Sequence, residues 1–299
     1  MNKKFRKIAL VGKHRESAEA KAMVALGEHL LAAGREVLLP EATAGKIGLP
    51  GAQACTPEKL AATADLLIAI GGDGTMLDAA SLVAGSKTPV LGINRGRLGF
   101  LADIGQAEML PKVDEVLAGN YQEDQRLYLE VALSSGAKEQ TLNALNDVVI
   151  QRSETGRMVD IETTVDGQYV NTHTGDGLII ATATGSTAYA LSCGGPIIQP
   201  SLDALLLVPV CPHTLSDRPI VIPANSAISL RLARSPRGNV PIFCDGHLLG
   251  NLGENQTLSI RASKHRLTLI HPADYDYYRM LRSKLRWGDS SRSNREPTT

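Results

Sequence analysis

Residues 68–80 read IAIGGDGTMLDAA. An apolar run closes on Gly71, Gly72, Asp73, Gly74 and Thr75, and a helical spacing of Met, Leu and Ala follows. A short apolar run with no polar alternation is a strand buried on both faces, which points to a parallel sheet under helices. The glycines let the backbone turn abruptly from strand to helix. The runs Lys7 to Gly12, REVLLP ending at Pro40 and Pro89 to Asn94 are of the same kind. Between the first two, Met23, Leu26, Leu30 and Ala33 recur at helical spacing until Gly34 stops the helix. Pro111 fits the first turn of a further helix running through Val113, Val116 and Leu117 to Gly119. Residues 1–125 are therefore expected to form an α/β domain with a doubly wound parallel sheet. The Gly, Pro and Ala content between Thr43 and Pro57 predicts a mobile excursion.

From about Arg126 the pattern changes. Val159, Ile161, Thr163 and Val165 alternate with polar residues, and Asp166-Gly167 supplies a hairpin signal. The period of two returns in Ile228, Leu230 and Leu232 and in Leu267 and Leu269, and Asp245-Gly246 is a further turn. Residues 126–272 thus predict a mostly antiparallel domain with one face buried. The stretch DYDYYRMLRSKLRW reads as a helix whose Tyr, Met, Leu and Trp side chains pack back on the first domain. From Gly288 the chain is expected to be disordered, so 273–299 forms a third segment of helix and tail.

Composition narrows the partners. The 299 residues carry 31 Lys+Arg and 31 Asp+Glu, and aromatics are 4%. A neutral chain poor in aromatics has neither the charge nor the stacking surface for nucleic acid, and no charge bias towards an anionic membrane. No apolar run approaches the length of a membrane span, and the basic start of the chain is too short in apolar residues for a signal peptide. Cys55, Cys193, Cys211 and Cys244 show no metal-ligand spacing. They are expected to be reduced thiols of a cytoplasmic protein, with no metal held by the chain itself.

The glycine stretch also carries chemistry. Gly71, Gly72 and Gly74 fall at the carboxyl edge of the predicted sheet, where open α/β proteins bind ligands. The helix beginning near Thr75 adds a field that favours anions. Backbone N–H groups there can cradle a phosphate, yet Asp73 is an anion among them. Its most economical role is to accept a proton from a hydroxyl that attacks a nearby phosphorus. A purely structural Gly-Asp-Gly turn is the alternative. The pattern is neither a Walker A loop nor G-x-G-x-x-G.

GGDGTML resembles the signature shared by NAD kinases, phosphofructokinases and diacylglycerol-type lipid kinases. Four further motifs, GINRGRLGFLAD (92–103), NALNDVVI (143–150), TGDGLIIATATGSTAYALSCGGPI (174–197) and PHTLSDRPIVI (212–222), resemble the bacterial NAD kinases in order and spacing. The likeness runs from about Lys7 to Trp287. It implies an α/β first domain, a β-sandwich second domain, a chain end that returns to the first domain, and a site between the domains. It also implies transfer of the γ-phosphate of ATP to the 2′-hydroxyl of the adenosine ribose of NAD, with Asp73 as base. Mg²⁺ or another divalent cation would accompany ATP. The resemblance leaves the choice between ATP and polyphosphate as donor open, and it implies a homo-oligomer, tetramer or dimer.

Site residues follow from the same resemblance. ATP phosphates would rest near Gly71, Gly72, Gly74 and Thr75. NAD would meet Asp73 and Gly74, Thr174 and Asp176, and the run Thr187, Ala188, Tyr189, Ala190, Leu191 and Ser192. Read without the family, that run is a loop–helix junction capped by Ser186 or Thr187. Asn146 and Asp147 suit an adenine edge and ribose hydroxyls, or form a turn. The family commonly has Asn-Glu there, and the aspartate keeps the charge on a shorter arm. Phe100 stacks on a base or anchors its loop. Arg157 and His247 match a basic and a polar pocket position, and are otherwise an exposed arginine and a surface-turn histidine. Two rivals remain: a lipid or sugar kinase using the same glycine–aspartate loop, and, of another class, a non-catalytic dinucleotide sensor.

Overall fold

The computed structural model describes residues 5–12, 17–96, 99–135, 138–153, 157–234 and 240–287. The expected disordered tail from Gly288 lies outside them, as do Arg97 and Leu98 of one quoted motif. Two compact units are present. The first takes residues up to Ala79, Thr88–Glu123 and those from Ile270, and the second takes Ala80–Lys87 and Asp124–Leu269.

The first unit contains β1 (Lys7–Gly12), α1 (Ser17–Ala32), β2 (Glu36–Pro40), α2 (Glu41–Ala44), β3 (Gln53–Cys55), α3 (Pro57–Thr63), β4 (Leu66–Ile70), α4 (Asp73–Leu82, continuing past the unit's edge), β5 (Val90–Asn94), β6 (Ile104–Gly105) and α5 (Met109–Leu117). Its strands run parallel in the order β5-β4-β1-β2-β3. The chain moves outward from β1 through β2 to β3, then returns to add β4 and β5 on the other side. The order therefore reverses between β1 and β4, and the crevice beyond the carboxyl ends of those strands is the switch point of a doubly wound sheet. β4 and β5 are buried at every residue, as strands covered on both faces must be. Met23, Leu26 and Leu30 of α1 and Val113 and Val116 of α5 share one core with Ile8, Leu10, Ile68, Ile70, Leu91 and Ile93. Local chemistry marks the helix ends: Gly34 at φ +72° follows α1, and Thr56 Oγ1 accepts from Lys59 N at the start of α3.

The stretch 43–57 is a correction. It holds the end of α2 and strand β3, paired with β2 through Leu38–Gln53 and Pro40–Cys55. The buried side chains of Ile47 and Leu49 anchor it, a signal that its glycines and prolines masked.

The second unit contains β7 (Tyr121–Ser135, beginning in the first unit), β8 (Lys138–Ala144), β9 (Asp147–Gln151), β10 (Val159–Val165), β11 (Gln168–Gly175), β12 (Gly177–Thr182), α6 (Tyr189–Ser192), β13 (Ala204–Val210), β14 (Ile220–Pro223), β15 (Ile228–Leu232), β16 (Pro241–Cys244), β17 (His247–Asn251) and β18 (Thr257–Pro272, whose last residues belong to the first unit). One antiparallel sheet has the order β14-β13-β12-β9-β16-β17. Facing it are β11, β10, β15 and β18, with β7 and β8. A single core formed by Leu129, Val131, Val148, Ile150, Ile161, Ile180, Leu205, Leu230 and Leu258, among others, fills the space between. This is a β-sandwich.

Both predicted turns are present. Asp166 and Gly167 have φ of 51° and 76°, and Asp245 and Gly246 have 49° and 81°, the paired positive angles of type I′ hairpins. The expectation of one buried face fails for β12 and β13, which are buried almost throughout. Val149, Ile179, Ala181, Leu206 and Val208 form a second apolar layer under Ala183, Ala190 and Ile198. The connection after β12 covers the sheet's other face.

The last described helix is α7 (Tyr277–Leu285), part of the first unit. Asp276 caps it, its Oδ1 accepting from Tyr278 N and Arg279 N. Met280 and Leu281 are buried, but Tyr278 and Trp287 are more than half exposed. Only one stripe of a helix can face a core, so the expectation that its aromatic residues all pack inward is corrected.

Candidate functional site

In the first unit the glycine stretch lies at the switch point, directly after β4. Gly71 N donates to Ile93 O of the neighbouring strand at 2.9 Å. Thr75 N and Met76 N both donate to Gly72 O, at 2.9 and 3.2 Å, and this closes the turn. The helix starts at Asp73, two residues before the predicted Thr75. The N–H groups of Asp73 and Gly74 belong to its first turn, where helix geometry supplies no acceptor four residues back. They are oriented donors with the field of the helix behind them. Gly72 and Gly74 are exposed and Thr75 is buried.

Asp73 is half-buried and engaged. Its Oδ2 accepts from Phe100 N at 2.9 Å and its Oδ1 from Leu101 N at 3.0 Å. A Cβ on Gly99 would stand 2.1 Å from Asp73 Oδ1, so the loop can approach this closely only with glycine there. The loop is braced within itself by Gly99 N to Ala102 O at 3.0 Å and Gly96 N to Asn94 Oδ1 at 2.7 Å. Each carboxylate oxygen keeps a second lone-pair direction, so orientation by the loop and acceptance of a proton are compatible. Phe100 is half-buried, and Lys284 Nζ lies 5.6 Å from its ring centroid.

In the second unit the NALND stretch and the Asp245 hairpin meet. Asp245 accepts three backbone donors: Leu145 N at 2.6 Å, Asn146 N at 2.8 Å and Asp147 N at 3.1 Å. Asp147, expected at a turn or strand start, opens β9 and is buried. Burial first, and the charge of Asp245 second, push its carboxyl up to about 7. Burial also raises the Asp245 carboxyl, with the three backbone donors pulling the other way. Burial pushes the neighbouring Cys244 thiol up to about 12, which keeps it an inert packing group.

The run after β12 packs on the same stretch. Thr182 Oγ1 donates to Leu145 O at 2.6 Å, and a Cβ on Gly185 would sit 2.0 Å from Asn146 O. The predicted cap is corrected. Residues Gly185–Thr187 form a 3₁₀ turn, and the hydroxyls of Ser186 and Thr187 donate backwards to Ala183 O and Thr184 O, at 2.6 and 3.2 Å. Ala188 stands at the N-cap of α6 with no side-chain bond. A hydroxyl given to a carbonyl three residues back is spent on the turn. Within 187–192, Tyr189 and Ser192 are exposed, Ala190 is buried, and Thr187, Ala188 and Leu191 are intermediate. Burial, then the Cys193 thiol and the Asp176 charge among other neighbours, raise the Tyr189 hydroxyl, which places those groups in one neighbourhood. Asp176 is paired with Arg152 at 2.7 Å, and Thr174 Oγ1 donates to Asp160 Oδ1 at 2.6 Å. Arg157 and His247 are exposed, His247 beside the Asp245 clamp.

Sequence reasoning missed two further contributors. Asp245 read only as a turn residue, although a turn aspartate with a free carboxylate is a ready clamp. Arg126 is 2% exposed. It is held by Asp124 at 2.6 Å and donates Nη1–H to Thr184 Oγ1 at 3.3 Å. Its partner lies 58 positions away, and no local pattern announces it. Among the described residues no helix is long and apolar enough to cross a membrane.

Comparison with known proteins gives a consistent result. Residues 8–121 match the model of the ATP-NAD kinase N-terminal domain, and 145–272 that of the ATP-NAD kinase C-terminal domain. The NAD kinase of Aromatoleum aromaticum is 41% identical over 294 residues, 98% of this chain and 97% of the relative. That of Nitrosospira multiformis is 43% identical over 295 residues, 98% and 99% of the two chains. Among solved structures, yeast NADH kinase complexed with NADH aligns with a TM-score of 0.90 at 26% identity, over 98% of this chain and 91% of that one. The Archaeoglobus fulgidus NAD kinase in complex with ATP has a TM-score of 0.73 at 24% identity, over 94% and 98%, a likeness of fold. None of these is a lipid or sugar kinase or a non-catalytic sensor, and both rivals lose their support.

Proposed function

The chain belongs to the NAD kinase family and is a phosphotransferase. From that premise we propose that it moves the γ-phosphoryl group of ATP to the 2′-hydroxyl of the adenosine ribose of NAD, with Asp73 accepting the hydroxyl's proton. One observation carries the assignment of Asp73. It is a carboxylate in the first turn of a helix at the switch point, among backbone donors suited to phosphate and oriented by two N–H groups of a facing loop.

The parts divide by unit. In the first, Gly71, Gly72, Gly74 and Thr75 surround backbone N–H groups that would hold the phosphates. In the second, Asn146 and Asp147 would address adenine and ribose, with Thr174, Asp176 and residues 187–192 around the dinucleotide. Phe100, Arg157 and His247 are its remaining candidate contacts. The reading takes Mg²⁺ or a similar divalent cation with the nucleotide. When bound with the nucleotide, such an ion would offset the charge of the phosphates. Among the described residues no group of three or more His, Cys, Asp or Glu could hold a metal ion. Four free cysteines suit a cytoplasmic location. A homo-oligomer remains part of the proposal on family resemblance.

Purified protein given NAD, ATP and Mg²⁺ is expected to form NADP. Asp73→Asn should lower kcat by roughly two orders of magnitude or more while NAD still binds. Near-normal turnover by Asp73→Asn would remove the base assignment. NAD binding without NADP formation by the unaltered chain would revive the sensor.

A further inference from the structure

The loop that orients Asp73 is itself held at its far end. Asp103 ends the segment whose Phe100 and Leu101 N–H groups bind the Asp73 carboxylate. Its Oδ2 lies 2.9 Å from Nδ1 of His271. A carboxylate only accepts, so Nδ1 carries the proton. Asp103 Oδ1 is buried and makes no hydrogen bond among the described residues, which leaves the His271 contact as the polar hold on this side chain. His271 is 1% exposed, and its ring stacks on Tyr275 with centroids 3.9 Å apart and planes within 9°.

The segment carrying these rings is seated in turn. Gln122 Nε2 donates to Ala273 O at 2.6 Å, and Lys112 Nζ on α5 donates to Asp274 Oδ1 at 3.1 Å. Further along, Lys284 stands over the Phe100 ring. All these residues belong to the first unit. A chain of contacts therefore runs from α5 through 273–275 to His271, Asp103, the 99–103 backbone and finally Asp73.

We infer that His271 is a positioning residue for the phosphoryl-transfer reaction: through Asp103 it fixes the backbone N–H pair that aims the Asp73 carboxylate. This rests on the reading of Asp73 as the base. Two N–H groups at 2.9 and 3.0 Å define the plane of that carboxylate. A shift of the loop turns it away from the hydroxyl it must reach, and displacements near 1 Å cost a reaction about 10²-fold. Asparagine at 271 can place an amide donor where Nδ1 stands, whereas leucine fills the space and donates nothing.

The test uses the full-length chain. His271→Leu is expected to lower kcat roughly tenfold or more while KM for NAD stays within about twofold, and His271→Asn should recover most of the loss. Placed in the Asp73→Asn background, His271→Leu should produce no further fall, because the group it aims is gone. Tyr275→Leu loosens the ring but leaves the hydrogen bond. It should give the same split in smaller measure, so the outcome does not hang on the folding of one buried variant. Equal falls with and without Asp73, a loss confined to KM, or unchanged turnover in both His271→Leu and Tyr275→Leu would overturn the inference and leave the base assignment standing. Full activity of Asp73→Asn would instead overturn the base assignment first.

Discussion

Asp147 joins two demands that oppose each other, burial and charge. In the folded chain its carboxyl is pushed up to about 7, mainly by burial and then by Asp245, against an ordinary value of 3.8. The fold therefore holds this proton more tightly than the unfolded chain does. The sign follows: its contribution to stability is full below about pH 4 and is lost as pH rises through about 7. Asp147→Asn removes the titration. The stability of the variant relative to the unaltered protein should rise between pH 5 and pH 8, as read from urea unfolding at both. An amide is neutral throughout, so the dependence of KM for NAD on pH near 7 should also flatten if Asp147 touches the ribose. The residue types here were legible in the sequence. The perturbation was not, because both of its causes, the covering layer and Asp245, arrive from distant parts of the chain.

At the scale of elements, the junction after β12 shows how a correct placement can carry a wrong mechanism. Small hydroxyl residues before AYALS read as a helix cap, and a short helix does follow. Yet Ser186 and Thr187 bond backwards into a 3₁₀ turn. Gly185 is what the packing demands, since Asn146 O occupies the space a side chain would take. Gly185→Ala should therefore force the turn away from Asn146, lowering stability by about 1–3 kcal/mol and raising KM for NAD more than it lowers kcat. Calorimetry and steady-state kinetics on the same preparation would show both. The switch-point turn was easier to read, because glycines between a buried strand and a helix have few other uses. Its partner loop 99–103 was recognised only as part of a family motif. The carboxylate–backbone bonds that join them span 27 and 28 positions.

For the whole molecule, the residues from Ile270 onward return to the first unit and bury apolar side chains there. Met280 and Leu281 of α7 are buried, and Ile270 belongs to the core of the first unit. Leu281→Ala should lower unfolding stability by about 2–5 kcal/mol, measured by urea unfolding, whereas alanine at the exposed Trp287 should change it by less than about 0.5 kcal/mol. By itself the sequence determined strands β1, β2, β4 and β5 and helices α1 and α5 of the first unit, the hairpins at Asp166-Gly167 and Asp245-Gly246, and the glycine turn that leads from β4 into α4. These rest on local periodicity and on backbone angles that few residues adopt. Tertiary structure alone decided that Asp73 is held through Phe100 and Leu101, that Asp245 clamps the Asn146–Asp147 backbone, and that His271 reaches Asp103. Each of these is a contact between residues far apart in the chain, and hydrogen bonding across such distances leaves no periodic trace in sequence.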